Sequence, residues 1–364
     1  MAKSLLFIPD ISGYTKFIQT TEIEHSQHVI SELLEVLISA NTQGLQLAEI
    51  EGDALFFYKE NTIPSQENLL AQIEAMFTAF YSHLKLLEQH RICPCNACAT
   101  APNLELKIIA HTGNLTHIEV QGNRKPFGEQ VIEAHRLLKN SVDSDNYALI
   151  SRKLALEIQL SPYYSSKVFR FRQGSDQYDD RNMEYVYSLI DTETLHLKAP
   201  EELQTVSFDH PPQLTSSKEF PISAPQLLEY ITNYSYRDYW VKGVDKFDYN
   251  ENEVTRLGTK HTCVVNGKNL DFTTITKEAE EGNLIYGEIT KSPPIVDELY
   301  QFFVITPLGE NRCRLELQNY WKAKSPIKKI LISLVGKKSF KKGMEKALQG
   351  LHQFITNKDS GVSP

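Results

Sequence analysis

Two carboxylates, Asp10 and Asp53, stand at turns between apolar runs. In FIPDISGYT (7–15) Asp10 closes an apolar run just before a small, glycine-containing turn, and in AEIEGDALFFY (48–58) Asp53 follows Gly52 between two apolar runs. Two carboxylates brought within a few ångströms of each other suit a hard divalent cation. Mg²⁺ takes one or two carboxylates and fills the rest of its shell with water and substrate phosphate oxygens. Ser12, Gly13, Tyr14 and Thr15 supply the complement: a helix entered there offers free backbone N–H groups to a phosphate, and Gly13 lets the chain turn tightly. The plainer alternative is that Asp10 caps a helix and Gly52-Asp53 turns a hairpin.

A second group with chemistry is HRICPCNACA (90–99), which puts Cys93, Cys95 and Cys98 within six residues of one another. His90 can complete a four-ligand set for Zn²⁺. The spacing C-x-C-x-x-C departs from the common C-x-x-C knuckle, so redox sensing or plain packing stays open beside the metal. Cys263 and Cys313 fall in expected strands and read as core.

The elements that must position the two Asp residues can be read from periodicity. Residues 4–11 read as a strand, 26–41 as a helix with Ile30, Leu33, Leu34, Leu37 and Ile38 at helical spacing, and 45–58 as a hairpin. A helix over 68–89, a strand pair over 104–120 turned at Gly113-Asn114, and a helix over 129–140 follow. The order βαββαβ is the ferredoxin-like arrangement, in which the ends of the two central strands lie side by side, so Asp10 and Asp53 are expected to converge.

These residues also resemble a known family. FIPDISGYT is similar to the F-x-D-I-x-G-F-T segment of class III nucleotidyl cyclases, EIEGDALFF to their Gly-Asp hairpin, IIAHTGNL to their strand with a His-x-Gly turn, and FGEQVIEAHRLLKNS (127–141) to the helix F/W-G-x-x-V-N-x-A-x-R-L. The four motifs occur in the family's order over residues 4–141. The resemblance implies Mg or Mn held by Asp10, Asp53 and the Ile11 backbone, phosphate contacts from Ser12, Gly13, Tyr14 and Thr15, and Arg136 as the catalytic Arg that stabilises the transition state. It also implies a purine nucleotide and a homodimer, because the family builds each site from two chains. The sequence departs from the family at three places. Ile132 stands where the family has an Asn four residues before the Arg, and an aliphatic group donates no hydrogen bond. The base-reading positions hold Glu49 and Lys125, where the adenine-selective members have Lys and Asp. Glu49 matches guanine-selective relatives, whereas Lys125 matches neither and can instead pair with Glu49 across the pocket.

The second half begins after a proline-rich polar stretch, ETLHLKAPEELQTVSFDHPPQLTSSK (192–218). The expected layout is therefore a cyclase-like domain over 1–190, a linker over 191–214 and a second domain over 215–364. An early helix ending in Trp before Gly-Val, a Leu-Gly-Thr after an acidic stretch, ITPLGENRCRLELQNYW and a closing helix together resemble the START-like (SRPBCC) helix-grip fold. That resemblance implies a cavity for an apolar small molecule or lipid, lined by Trp240, Phe247, Phe272, Tyr286, Phe302 and Phe303; the same aromatics can equally fill the core. The closing helix carries Ile330, Leu331, Leu334, Phe340, Met344, Leu348, Leu351 and Phe354 at helical spacing. Across 321–350 nine Lys face one acid, Glu345, which marks either a solvated face or peripheral contact with an anionic membrane.

Composition bounds these readings. With 364 residues, 41% apolar and 23% charged, the chain is an α+β globular protein of two-domain length, and a net charge of -8 argues against nucleic acid as a general partner. The early residues carry only LLFI before Pro9, and five Cys form no disulfide scaffold, so a cytoplasmic location with reduced thiols is expected. Three functions remain: a signalling-type protein that joins a divergent, degenerate cyclase-like domain, binding a nucleotide and metal or nothing, to a hydrophobic-ligand-binding domain; an active Mg/Mn-dependent purine nucleotidyl cyclase; and a carrier of apolar ligands with a structural N-terminal domain.

Overall fold

In the computed structural model, residues 3–178, 181–202, 205–291, 293 and 295–359 are described; the outermost residues of both expected domains lie outside these. The chain divides into two compact units, one formed by Met1–Gln89 with Thr100–Pro200, the other by His90–Ala99 with Glu201–Pro364.

The run LLFI in β1 (Ser4–Ser12) is apolar without alternation, as befits a strand covered on both faces, and Leu5, Leu6, Phe7 and Ile8 are all buried. The rest of this unit is α1 (Tyr14–Thr20), α2 (Ile23–Ser39), β2 (Gln46–Glu51), β3 (Ala54–Lys59), α3 (Gln66–Gln89), then, after a short α4 (Asn96–Thr100) that falls almost wholly in the His90–Ala99 stretch of the second unit, β4 (Glu105–Gly113), β5 (Thr116–Val120), β6 (Asn123–Phe127), α5 (Glu129–Leu137), β7 (Tyr147–Ser151), α6 (Arg152–Glu157), β8 (Arg172–Tyr178) and β9 (Arg181–Leu189). The main sheet runs β2-β3-β1-β4-β7-β9-β8. Its part β2-β3-β1-β4 is antiparallel throughout, the strand order expected from βαββαβ, and β7 then joins β4 in parallel. Leu6, Ile8, Ala54, Phe56 and Ile109 pack under Ala134 and Leu137 of α5 on one face. Alternation along β1 puts Asp10 on that same face, at its end.

One expected pairing fails. β5 does not fold back on β4 through Gly113-Asn114; it pairs with β6 in a separate two-stranded ribbon turned at Gln121-Gly122, both at positive φ. Ile118 and Val120 share one face of THIEV but stay 43% and 59% exposed, so this strand buries no face against the main sheet.

The second unit contains β10 (Leu214–Phe220), α7 (Ala224–Thr232), α8 (Arg237–Trp240), β11 (Lys246–Tyr249), β12 (Lys260–Val265), β13 (Lys268–Ile275), β14 (Leu284–Lys291), β15 (Glu298–Gly309), β16 (Arg312–Lys322), α9 (Pro326–Leu331) and α10 (Lys337–Asp359). Its seven strands form one antiparallel sheet, β10-β16-β15-β14-β13-β12-β11. Phe220, Leu227, Tyr286, Phe303, Leu315 and Leu317 form its core with Met344, Leu348, Leu351 and Phe354 of α10.

Two expectations change here. The segment after residue 200 is not a free linker: Val206 N–H donates to Thr276 O at 2.9 Å, Phe208 stacks on Tyr320 with ring centroids 3.8 Å apart, and Gln213 N–H donates to Asn319 O at 3.0 Å. The closing helix is also not continuous. A π turn over Ile332–Gly336 separates α9 from α10, and each such turn shifts the helical register. Residues before and within it therefore leave the packed face: Ile330, Leu331 and Leu334 are 60%, 49% and 74% exposed. Among the described residues no helix is long and apolar enough to cross a membrane.

Candidate functional site

Asp10 meets the β3 strand beside Asp53, because it pairs in register with Ala54 and the next amide, Ile11 N–H, donates to Asp53 O at 3.0 Å. The opposite neighbour in register is Lys107 on β4, whose Nζ lies 3.4 Å from Asp10 Oδ1. Burial pushes the Asp10 carboxyl up to about 6; Lys107 pulls it down, while Asp53 and Asp145 push it further up. Asp53 is raised by burial against its own backbone hydrogen bond and Lys107. Glu105, paired with Ser12, is likewise raised by burial and by Asp145. The end of the sheet thus gathers carboxylates that resist ionisation, with Lys107 as the cation that acts on both Asp10 and Asp53. Sequence reading missed Lys107 and Asp145. A lysine inside the otherwise apolar strand LKIIA was the available signal, whereas Asp145 sits in an irregular loop that has no periodicity to read.

The turn beyond Asp10 is built for close approach. Gly13 adopts φ +86° as the residue preceding α1, a backbone that side chains strain to reach, and no side chain caps the helix there. Ser12 Oγ is buried without a hydrogen-bond partner among the described residues; Tyr14 is half-buried and Thr15 exposed. The first intrahelical bond runs from Phe17 N–H to Gly13 O, which leaves the N–H groups of the entering turn outside the α1 ladder.

Farther along the sheet, Lys125 Nζ donates to Glu49 Oε1 at 2.7 Å, an ion pair with both side chains over 40% exposed. Arg136 is half-buried in the last turn of α5, one turn beyond the exposed Ile132. Beside it, His135 reaches Glu51 at 3.0 Å and meets Phe56 edge-on. Deeper on this face Glu133 is held down at about 2 by a hydrogen bond from His111 and by Lys153, against the opposing effect of burial.

In the cysteine loop the Sγ atoms of Cys93, Cys95 and Cys98 lie within 4.8 Å of one another. His90 is not the ligand expected to complete them. Its Nδ1 sits 3.1 Å from Leu257 O and its Nε2 3.0 Å from Glu201 O, so both ring nitrogens are occupied by carbonyl oxygens. The Cys98 thiol is raised well above its usual range by hydrogen bonds with Cys93 and Cys95 and then by burial.

The second unit holds a half-open pocket of about 250 Å³. Trp240, Phe247, Phe272 and Phe303 line it. Tyr286 and Phe302 are not lining residues. Tyr286 turns its hydroxyl to Glu288 Oε1 at 2.6 Å within the core, and Phe302 packs with Phe208, Tyr300 and Tyr320 on the other face of the sheet. The unexpected lining is polar. Arg237 donates to Glu288 Oε1 at 2.7 Å and to Ile231 O at 2.8 Å, with both charged side chains 5% exposed. Burial alone would raise Glu288, yet Arg237, His261 and the Tyr286 hydroxyl outweigh it and hold the carboxylate below its usual range. His261 stacks on Phe272 and is pushed down to about 4 by burial and Arg237 against the pull of Glu288, so at neutral pH it is uncharged. Both of its ring nitrogens and Asn319 Oδ1 are buried without hydrogen-bond partners among the described residues.

Residues 30–147 match the family described as Protein of unknown function (DUF2652). Uncharacterized protein Rv2561/Rv2562 of Mycobacterium tuberculosis (strain ATCC 25618 / H37Rv) is 31% identical over 126 residues, 35% of this chain and 58% of that protein, so the chain spans little more than half the relative's length. Similar solved structures include the adenylyl cyclase CyaB from P. aeruginosa, 20% identical with a TM-score of 0.39 over 52% of this chain and 94% of that one. The guanylate cyclase domain of RhGC from Catenaria anguillulae in complex with GTP is 11% identical, with a TM-score of 0.37 over 52% and 97% of the two chains. Hypothetical protein jhp0584 from Helicobacter pylori is 14% identical, with a TM-score of 0.32 over 39% and 88%. Likeness at this level says nothing of chemistry.

Proposed function

We propose that the first unit binds a purine nucleoside triphosphate with a divalent cation at the Asp10–Asp53 end of its sheet, in the manner of a class III nucleotidyl cyclase site, and that it serves signalling by binding more than by turnover. The observation that carries this reading is the Asp10 carboxyl, pushed up to about 6 at a strand end shared with Asp53. A largely buried carboxylate pair of this kind has hard oxygen donors whose charge Lys107 offsets only in part, which fits Mg or Mn; Asp10, Asp53 and the Ile11 carbonyl would hold it. Bound there, the cation would neutralise triphosphate oxygens as a Lewis acid.

The remaining roles fall to the chain's own groups. The entry to α1 at Gly13 presents backbone N–H groups to a phosphate, with Ser12, Tyr14 and Thr15 beside it. Lys107 already neutralises part of the Asp10 charge, so it competes with the cation and weakens its hold. Glu49 and Lys125 satisfy each other in the place where the family reads its base. Arg136 is the candidate for meeting charge developing on the phosphate, but Ile132 lacks the donor that would share the load, and each such donor is worth roughly 10²–10³ in rate. A catalytic form would also need two copies of the chain. The test is equilibrium binding of ATP and GTP with and without Mn²⁺, alongside chromatography for cyclic product. Cation-dependent binding with little product supports the reading, and no binding of either nucleotide overturns it.

For the second unit we infer a START-like, helix-grip binder of one small, mainly apolar molecule. The observation that favours it is the pocket of about 250 Å³ whose aromatic wall is interrupted by the His261 ring nitrogens and Asn319 Oδ1, which have no hydrogen-bond partner among the described residues. That volume falls just below the roughly 300–1,000 Å³ of drug-sized sites, so the ligand is short and carries one polar group. Native mass spectrometry of the gently purified protein tests this. A retained small organic mass, lost on Phe303→Trp, supports it, and failure to bind any member of a panel of short-chain acids and single-ring aromatics contradicts it.

A further inference from the structure

We propose that Cys93, Cys95 and Cys98 bind one Zn²⁺ as thiolates, with a nitrogen or oxygen donor in the fourth position. All three sulfurs come from one short loop, and their Sγ atoms already lie within 4.8 Å of one another. A tetrahedral zinc site with Zn–S of about 2.3 Å places its sulfurs about 3.8 Å apart, so rotamer adjustments of about 1 Å are enough to close the set. The loop is shaped for this. Ala99 N–H donates to Cys95 O at 3.0 Å, closing a turn that brings Cys98 back over Cys95, and Cys98 N–H points at Cys95 Sγ at 3.3 Å. Backbone N–H groups aimed at a sulfur stabilise its thiolate form and orient it as a ligand.

The surroundings hold the loop where the metal would find it. His90 is tied by its carbonyl to Leu257 N–H at 2.9 Å and by its ring to Leu257 O and Glu201 O, and Ile92 packs on the core of the second unit. His90 therefore serves as an anchor for the first half of the loop, not as a ligand. The second half, with all three sulfurs, is where a metal clip would act. A disulfide pairs only two of three thiols, and among the described residues none of the five cysteines is disulfide-bonded. Three thiolates this close repel one another, and a dication offsets that repulsion as each thiol gives up its proton. The soft sulfur set selects zinc over the hard cations that suit Asp10 and Asp53, so the two sites are chemically separate.

The experiment uses the full chain, reduced, supplied with Zn²⁺ and freed of excess by gel filtration. Elemental analysis should give about one zinc per chain, and zinc-edge X-ray absorption should give three sulfurs at about 2.3 Å with one lighter neighbour. Cobalt substitution should give thiolate-to-metal charge-transfer bands. The Cys93→Ser/Cys95→Ser/Cys98→Ser variant should lose the metal, while Cys263→Ser keeps it. Because the triple variant can fail to fold, the wild-type protein is also titrated with a thiol-blocking reagent in the presence of a metal-sensitive dye, and zinc release should track modification of three thiols. Absence of bound zinc, fewer than three sulfurs around it, retention of zinc in the triple variant, or no release on thiol blocking would each overturn the proposal.

Discussion

Replacing Asp10 by Asn should make the metal-free protein more stable above about pH 6, the reverse of what removing a partner from an ion pair usually does. The reason lies in the burial of Asp10, which raises its carboxyl from 3.8 to about 6 even though Lys107 lies 3.4 Å away. A rise of that size corresponds to about 3 kcal/mol. Below about pH 4 the carboxyl is protonated in both folded and unfolded chains and contributes no pH dependence. Between about pH 4 and pH 6 the folded state keeps a proton that the unfolded state has released, so stability falls as pH rises. Above about pH 6 both states are ionised and the full penalty persists. Asn carries no charge at any pH and escapes this penalty. With the Asp10 side chain only 14% exposed, solvent screening removes little of the effect. The assay is urea unfolding of both proteins in a chelator at about pH 4.5 and about pH 8. The variant should gain up to about 3 kcal/mol over wild type at the higher pH and only about 1 kcal/mol at the lower. Adding Mn²⁺ at the higher pH should stabilise the wild type and leave the variant unchanged. A variant that is destabilised at about pH 8, or a gap that does not change with pH, would refute the electrostatic reasoning.

Glu288→Gln should destabilise the second unit by about 3–5 kcal/mol, because it leaves Arg237 charged and buried. Combining it with Arg237→Met should recover much of that loss in thermal unfolding, and simple additivity would contradict the pairing. Glu49→Gln breaks only an exposed pair, so it should change stability by no more than about 1 kcal/mol and leave the ratio of ATP to GTP binding unaltered; a shift toward ATP would mean that Glu49 reads the base. The exposed Ile327, Ile330, Leu331, Leu334 and Val335, flanked by Lys328, Lys329, Lys337 and Lys338, should carry the protein to the top of a flotation gradient with phosphatidylserine vesicles but not with neutral ones. At about 1 kcal/mol per Lys, removing all four should abolish that recovery at low salt, and equal recovery with both vesicle types would sink the idea.

The parts of the fold that were legible in the sequence are those fixed by short-range pattern. The apolar run before Asp10, the helical spacing of Leu33, Leu34 and Leu37 and the Gly52-Asp53 turn give the order β2-β3-β1-β4 and, with it, the neighbouring Asp residues. What was not legible depends on a third element. Lys107 reaches Asp10 only through the register in which β4 pairs with β1, which local periodicity along β4 does not reveal. The THIEV strand looked like a hairpin partner of β4 because turn residues precede it, yet it pairs with β6 and leaves Ile118 and Val120 exposed. The closing helix read as one amphipathic face because spacing carries no trace of a π turn, and one extra residue at Ile332–Gly336 turned Ile330 and Leu334 outward. In the second cavity the aromatics were legible as apolar residues, but which side of the sheet each faced was not. Phe302 and Phe303 are neighbours in sequence and point to opposite faces.

The central claim is that Asp10 and Asp53 hold a divalent cation that in turn holds a purine nucleoside triphosphate. Isothermal titration of a non-hydrolysable GTP analogue and its ATP counterpart into the full chain, with Mn²⁺ and then with chelator, tests it most directly when repeated on Asp10→Asn and Asp53→Asn. The account predicts saturable binding of at least one analogue with Mn²⁺, lost in chelator and weakened at least about tenfold in each variant, a loss of about 1.4 kcal/mol or more. Binding that is indifferent to Mn²⁺ and to both substitutions, or no binding at all to a folded wild-type chain, would contradict it.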